Sequence, residues 1–228
     1  MTAPPGERPV LHDHWRSSAS YRVRIALNLK DVAFDRAAVD LVVGEHRRHD
    51  HLELNPQGLV PVLQIDGLVL TQSLAIIEYL EETRPGPPLL PGDHAARAHV
   101  RALALAIACD LHPVSNLAVL ARVEALAGAE ARAAWNRDNI AHGLQAVEAM
   151  LDHRGSTGRF CHGDRPGMAD CALIPQLYNA ARWQVPIDHL PRLSAIADAC
   201  AFHPAFTAAH PAHFNPSREA KIVRGDSS

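Results

Sequence analysis

Residues Arg84 to Gly92, RPGPPLLPG, divide the chain into two parts built on different patterns. Four prolines and two glycines in so short a run break both helix and strand. Before this run, short apolar stretches alternate with stretches of helical period. After it, strand signals vanish and long Ala/Leu-rich segments follow one another.

In the first part, Val10 to Trp15 suits a strand. Ser17 to Lys30 carries Val23, Ile25, Ala26, Leu27 and Leu29 and reads as a helix opened by serines. Ala33 to Leu41 reads as a second strand, and a polar, His-rich stretch follows from Gly44 to Glu53. Val60–Ile65 and Leu68–Thr71 flank Asp66-Gly67, a dipeptide that accepts the positive φ of a type I′ turn. Leu74, Ile76, Ile77 and Leu80 then fall on helical spacing, with Ser73 placed to cap them. The order is β-α-β-(α)-β-β-α, a right-handed parallel crossover followed by an antiparallel hairpin.

In the second part, helices are expected at about 94–121, 129–152, 169–184 and 191–200, with Pro113 bending or ending the first. The fold class is therefore an α/β N-terminal domain joined to an all-α C-terminal domain. The boundaries expected are a disordered lead at 1–9, the α/β domain at 10–84, a linker at 85–93, the helical domain at 94–216 and a flexible tail at 217–228.

Composition removes several classes of function. A formal charge of -3 lacks the basic excess of a nucleic-acid footprint. No run of apolar residues reaches the length of a membrane span, and the Pro-rich start lacks the apolar core of a signal peptide, so a cytoplasmic location is expected. Cys109, Cys161, Cys171 and Cys200 form no C-x-x-C pair and read as free thiols. His12-x-His14 and His49-x-His51 lack further ligands at matched spacing, so no metal is implied.

Three segments carry chemistry. Trp15-Arg16-Ser17-Ser18-Ala19-Ser20-Tyr21-Arg22 sets hydroxyls at a strand-to-helix junction, where free N–H groups favour an anion. A simple serine cap explains the same residues. Asn55 to Val62 places Pro61 at the opening of a strand. A cis Val60-Pro61 bond there leaves the Val60 N–H and C=O free for an extended peptide-like ligand. Gln72-Ser73, at a helix start, offers backbone N–H groups and a hydroxyl to a carboxylate, although capping again accounts for both.

Taken in order, RSSASYRVRIALNLK (16–30), LNPQGLVPVLQIDG (54–67), LTQSLAIIEYLEETRP (70–85) and GMADCALIPQLYNAARWQV (167–185) resemble the zeta class of the glutathione transferases. The resemblance runs from about residue 10 to 216. It implies a thioredoxin-like N-terminal domain that binds glutathione, a helical domain that walls the second substrate, and a homodimer. Carried over by position, Ser17 donates to the glutathione sulfur with Ser18 beside it. Val60, before a cis Pro61, pairs with the cysteinyl backbone. Gln72 and Ser73 hold the γ-glutamyl end, and His46 reaches the glycyl end. Arg16 and Arg182 bind the carboxylates of a small diacid, and His112 and Asn116 stand near the site.

The implied reaction is cis–trans isomerisation of maleylacetoacetate-type diacids in aromatic catabolism, by thiolate addition, rotation and elimination. Maleylpyruvate isomerisation, general glutathione transfer, dehalogenation of α-halo acids and non-catalytic binding are the alternatives. Ionising a thiol of ordinary pKa gains at most about 2 kcal/mol at neutral pH, whereas holding thiolate and alkene together is worth up to ~7–11 kcal/mol. Positioning by the arginines thus outweighs activation by Ser17.

The chain departs from the class pattern in three places. Ala19 stands where the class motif has Cys. Gly167 stands where a helix-capping Ser or Thr is usual, with Asp170 in place three residues on. Asn116 is followed by Leu117-Ala118 in place of the arginine pair of maleylpyruvate isomerases, which favours maleylacetoacetate.

Overall fold

A computed structural model describes residues 8–153 and 158–216. The chain forms two compact units, one of residues up to Pro87 together with the segment from His203 onward, the other Pro88–Phe202. The lead expected at 1–9, apart from Arg8 and Pro9, and the tail at 217–228 lie outside the described residues.

The first unit is built on β1 (Val10–Asp13), α1 (Ser18–Leu29), β2 (Asp35–Ala38), α2 (His49–Leu54), β3 (Val62–Ile65), β4 (Leu68–Thr71) and α3 (Ser73–Thr83). The sheet order is β2-β1-β3-β4. β1 and β2 are parallel, while β3 runs antiparallel to both β1 and β4. Asp66 and Gly67 turn the hairpin with φ of 51° and 76°, the positive values that the Asp-Gly dipeptide accommodates. Leu11, Leu63 and Ile65 of the sheet are buried, as are Val23 and Leu27 of α1 and Ile76, Ile77 and Leu80 of α3, and α1 packs on α3.

The segment from His203 to Pro216, expected in the helical domain, belongs instead to this first unit. Its helix α8 (Pro204–Ala209) packs on α1. Asn28 Nδ2 donates to the Ala205 C=O at 3.0 Å, and Arg24 Nε donates to the Ala209 C=O at 3.1 Å. Arg24 is wholly buried and forms an ion pair with Asp13 of β1, which also receives Arg36 Nε at 2.5 Å. The guanidinium of Arg24 stacks 4.5 Å from the Phe214 ring centroid.

The second unit carries α4 (His94–Leu105), α5 (Leu117–His153), α6 (Met168–Arg182) and α7 (Pro191–Ala201). Helix α4 does not run on to Pro113. It gives way at Ala106–Leu111 to a wider π-helical turn, and Pro113 begins a separate 3₁₀ turn, Pro113–Ser115. A proline lacks its own N–H and its ring clashes with the carbonyl four residues back, here Cys109 inside the widened turn, so the helical run bends and ends before Pro113, as expected of this residue. Helix α5 is broken at Gly128, whose φ of 89° is open to glycine and strained for other residues.

Candidate active site

Strand register alone brings the three candidate segments of the first unit to one end of the sheet. His12 of β1 lies opposite Val62 of β3, and Val62 lies opposite Thr71 of β4. The chain leaving β1 reaches Ser17 within a few residues. The chain entering β3 arrives through Val60-Pro61, and the chain leaving β4 passes directly into Gln72-Ser73. The Val60-Pro61 peptide bond is cis. Gln72 Nε2 donates to Gln57 Oε1 at 2.8 Å and links the second segment to the third.

Ser17 is the N-cap of α1. Its Oγ accepts the Ser20 N–H at 3.2 Å, and its C=O accepts the Tyr21 N–H. A hydroxyl has one proton and two lone pairs, so accepting the cap bond leaves its proton for another partner. One hydroxyl can thus serve as the cap and still offer a donor. Ser18 is buried at the first position of the helix. Arg16, half-buried, lays its guanidinium 4.9 Å from the centroid of the Trp15 ring.

Ser73 does not cap α3. It is the first helical residue, and the cap position belongs to Gln72, with φ at 67° and no side-chain cap bond. The Ser73 hydroxyl accepts from Nη1 of Arg22 at 3.2 Å. Arg22 comes from α1 and is 2% exposed. The first turn of α3 carries no acidic residue. This helix start therefore keeps its positive end.

His46 lies in the 3₁₀ turn Glu45–Arg47. Its Nε2 accepts from Arg47 Nε at 3.3 Å, which leaves the ring proton on Nδ1, a buried atom with no partner among the described residues. Burial, and then the positive charge of Arg47, hold its pKa below the usual histidine value. The neutral ring is therefore a donor at neutral pH. The His46 main chain runs beside Gly58, where a Cβ would stand 3.1 Å from the His46 C=O. Behind the second segment, His51 Nε2 and Asn55 Nδ2 both donate to the Leu59 C=O, at 3.0 and 2.9 Å. They fix the backbone immediately before Val60.

In the second unit, His112 and Asn116 flank the 3₁₀ turn at the head of α5, and Arg182 closes α6. Trp135 Nε1 donates to the Val114 C=O at 3.0 Å, and Arg137 Nε donates to the Trp183 C=O at 3.2 Å. One turn of α5 thus holds both the His112–Asn116 turn and the end of α6 beside Arg182. Sequence reasoning missed Arg22, Gln57, Trp135 and Arg137. Arg22 and Gln57 lay inside segments already under scrutiny, but their partners sit 51 and 15 residues away.

The family profile described as glutathione S-transferase, N-terminal domain, matches residues 11–88, and the one described as glutathione S-transferase, C-terminal domain, matches 118–211. The maleylacetoacetate isomerase of Rhizobium meliloti (strain 1021) is 58% identical over 209 residues, covering 91% of this chain and 98% of that protein. A solved holo structure of maleylpyruvate isomerase, described as a bacterial zeta-class glutathione S-transferase, superposes with a TM-score of 0.86 at 44% identity, covering 89% of this chain and 97% of that one. A maleylacetoacetate isomerase from Methylobacterium extorquens AM1, solved with bound malonate and GSH, gives a TM-score of 0.85 at 40% identity, covering 89% and 96%. Identity of this extent across both halves establishes that the chain belongs to the zeta class of the glutathione S-transferase family.

Proposed function

We propose that this chain is a glutathione-dependent cis–trans isomerase of maleylacetoacetate-type diacids, serving aromatic catabolism. The observation that carries the reading is Ser17, a hydroxyl whose lone pair is taken by the Ser20 N–H and whose proton remains to donate at a helix start. The 58% identical relative bears the name of this activity. In the Methylobacterium extorquens relative, malonate, itself a dicarboxylate, is bound together with GSH.

The residues present fit glutathione. Ser17 offers a donor to the sulfur, and no side chain caps the α3 start at Gln72-Ser73, which is open to the γ-glutamyl carboxylate. The unpartnered Nδ1 of His46 suits the glycyl carboxylate. The backbone of Val60, just outside the β3 ladder, suits the cysteinyl unit. When bound, glutathione supplies a thiol sulfur able to add to a conjugated alkene and to leave again. Ser17, with Ser18 beside it, stabilises negative charge at that sulfur. The resemblance assigns Arg16 and Arg182 to the carboxylates of the diacid, and His112 and Asn116 to the cofactor. Arginine suits this task because its planar fork matches a carboxylate.

Maleylacetoacetate is favoured over maleylpyruvate because Leu117-Ala118 replaces the arginine pair. A cytoplasmic location belongs to the same reading. The enzyme is also read as a homodimer, in which a second copy would cover exposed apolar residues such as Leu68 and Val69 of β4 and Leu126 of α5. Assaying maleylacetoacetate and maleylpyruvate, each with and without glutathione, tests the function. Turnover of maleylacetoacetate that requires glutathione is expected. No turnover of either acid, or turnover without glutathione, overturns it. Sedimentation tests the dimer.

A further inference from the structure

We infer that Arg22 is a positioning residue for the γ-glutamyl end of glutathione, acting through the hydroxyl of Ser73. This rests on the glutathione reading above.

Three observations meet at this point of the fold. Arg22 Nη1 donates to Ser73 Oγ at 3.2 Å, and both residues are buried. A guanidinium has donors and no acceptor, so the Ser73 oxygen can only accept from it. The Ser73 proton must then point elsewhere, towards an acceptor. Second, the start of α3 is kept open. Gln72 makes no side-chain cap bond and spends its amide on Gln57, while the first turn holds no acidic residue. Third, α1 carries Arg22 one turn after Ser18, so the helix that bears the Ser17-Ser18 pair also places a cation beneath the start of α3.

A buried positive charge behind a hydroxyl polarises it as a donor. A helix start in front of the same hydroxyl adds N–H groups and the positive end of the dipole. Together they favour an anion. The α-carboxylate of the γ-glutamyl residue is the anionic group that this subsite would receive. Arg22 does not touch it. It fixes the direction of the Ser73 proton and supplies the field.

The test compares two tripeptides by calorimetry: glutathione, and γ-aminobutyryl-cysteinylglycine, which lacks only the α-carboxylate. The wild-type protein is expected to bind glutathione at least tenfold more tightly, on the order of one charge-assisted hydrogen bond. Arg22→Met should lose most of that preference while binding the truncated tripeptide within about threefold of wild type, because the lost effect depends on a group the analogue lacks. Ser73→Ala should reduce the preference similarly, and Arg22→Met should add little to it. An unchanged preference in Arg22→Met overturns the proposal, as does an equal loss for both tripeptides, the mark of a purely structural role. Should Arg22→Met fail to fold, Arg22→Gln is put through the same comparison. It keeps a polar side chain but removes the charge, so the preference must fall severalfold, and full retention overturns the proposal. If the wild-type protein binds neither tripeptide, the glutathione reading itself falls and takes the role of Arg22 with it. That result is distinct from a wild-type preference that Arg22→Met leaves intact.

Discussion

Arg24 Nη2 donates to the C=O of Trp15 at 3.1 Å, two residues before the Ser17 cap. The same guanidinium is paired with Asp13 at the end of β1 and reaches the Ala209 C=O in the C-terminal segment. The turn that delivers Ser17 is therefore held by a charge network that ties α1 to β1, β2 and the C-terminal segment. Removing one member of a buried pair leaves a charge without compensation and commonly costs 3–5 kcal/mol. Arg36 still reaches Asp13, so Arg24→Met is expected near the lower end, about 3 kcal/mol. A fall in the urea midpoint too small to match this would show that the network contributes little to stability.

Ser17→Ala removes two things at once. Loss of the cap costs about 1 kcal/mol of stability. Loss of the donor should raise the pKa of the bound glutathione thiol, followed by the ultraviolet absorbance of the thiolate. The two effects separate because the Ser20 N–H contact belongs to the protein alone. A stability loss with an unmoved thiol titration would leave Ser17 as a cap only.

Arg182 lies in the last turn of α6, next to the Trp183 carbonyl that Arg137 holds. Arg182→Met is expected to raise KM for the diacid by roughly 10- to 100-fold, the scale of a hydrogen bond to a charged group. Glutathione affinity should stay within a factor of about two. Equal loss of both affinities would remove Arg182 from the diacid site.

What the sequence made legible was local chemistry. Asp66-Gly67 announced its hairpin because both residues tolerate positive φ. Ser17 announced its cap because serine at a helix start has one dominant use. The cap of α3 was misplaced by one residue: Ser73 has the capping side chain, but Gln72 takes the cap position with an unusual positive φ. The end of α4 was misplaced because Ala106–Leu111 continues the composition of a regular helix while its hydrogen bonding changes. The docking of His203–Pro216 on α1 had no local signal, since its bonds to Asn28 and Arg24 span 177 and 185 residues. The meeting of Val60, Gln72 and Ser17 at one sheet end followed from the family resemblance. Pairing register, which physically produces it, is not written in any one segment.

Histidine burial gives the stability a defined dependence on pH. Burial is the main cause that lowers the pKa of His14, His46, His203 and His210, and His14 also donates Nδ1–H to the Val39 C=O at 3.0 Å. In the unfolded chain these rings protonate near pH 6.5. Below that pH the unfolded state holds more protons than the folded one, so stability is present above about pH 6.5 and is lost as pH falls through the lowered folded values. Urea midpoints measured from about pH 7.5 down to 5.5 should decline. His14→Gln, able to donate the same bond, should flatten part of the decline. An identical slope in the variant would assign the effect to other groups.

Gly167 stands where the class pattern calls for a capping Ser or Thr, and its surroundings explain the exchange. A Cβ at this position would lie 2.6 Å from the Leu89 carbonyl oxygen, a main-chain atom that also accepts the Met168 N–H at 2.8 Å. Only the second half of the capping box remains: the Asp170 carboxylate takes the Gly167 N–H at 2.8 Å, and also the Cys161 N–H at 2.9 Å. A serine cap improves on glycine by only a few tenths of a kcal/mol, whereas forcing atoms into a packed backbone contact costs about 1–3 kcal/mol. Gly167→Ser should therefore lower the Tm. Gly167→Ala, with the same Cβ and no hydroxyl, should lower it slightly more, and the difference between the two isolates the cap. A Gly167→Ser protein more stable than wild type would mean that the Leu89 segment yields to the new side chain, and the packing explanation for this glycine would be wrong.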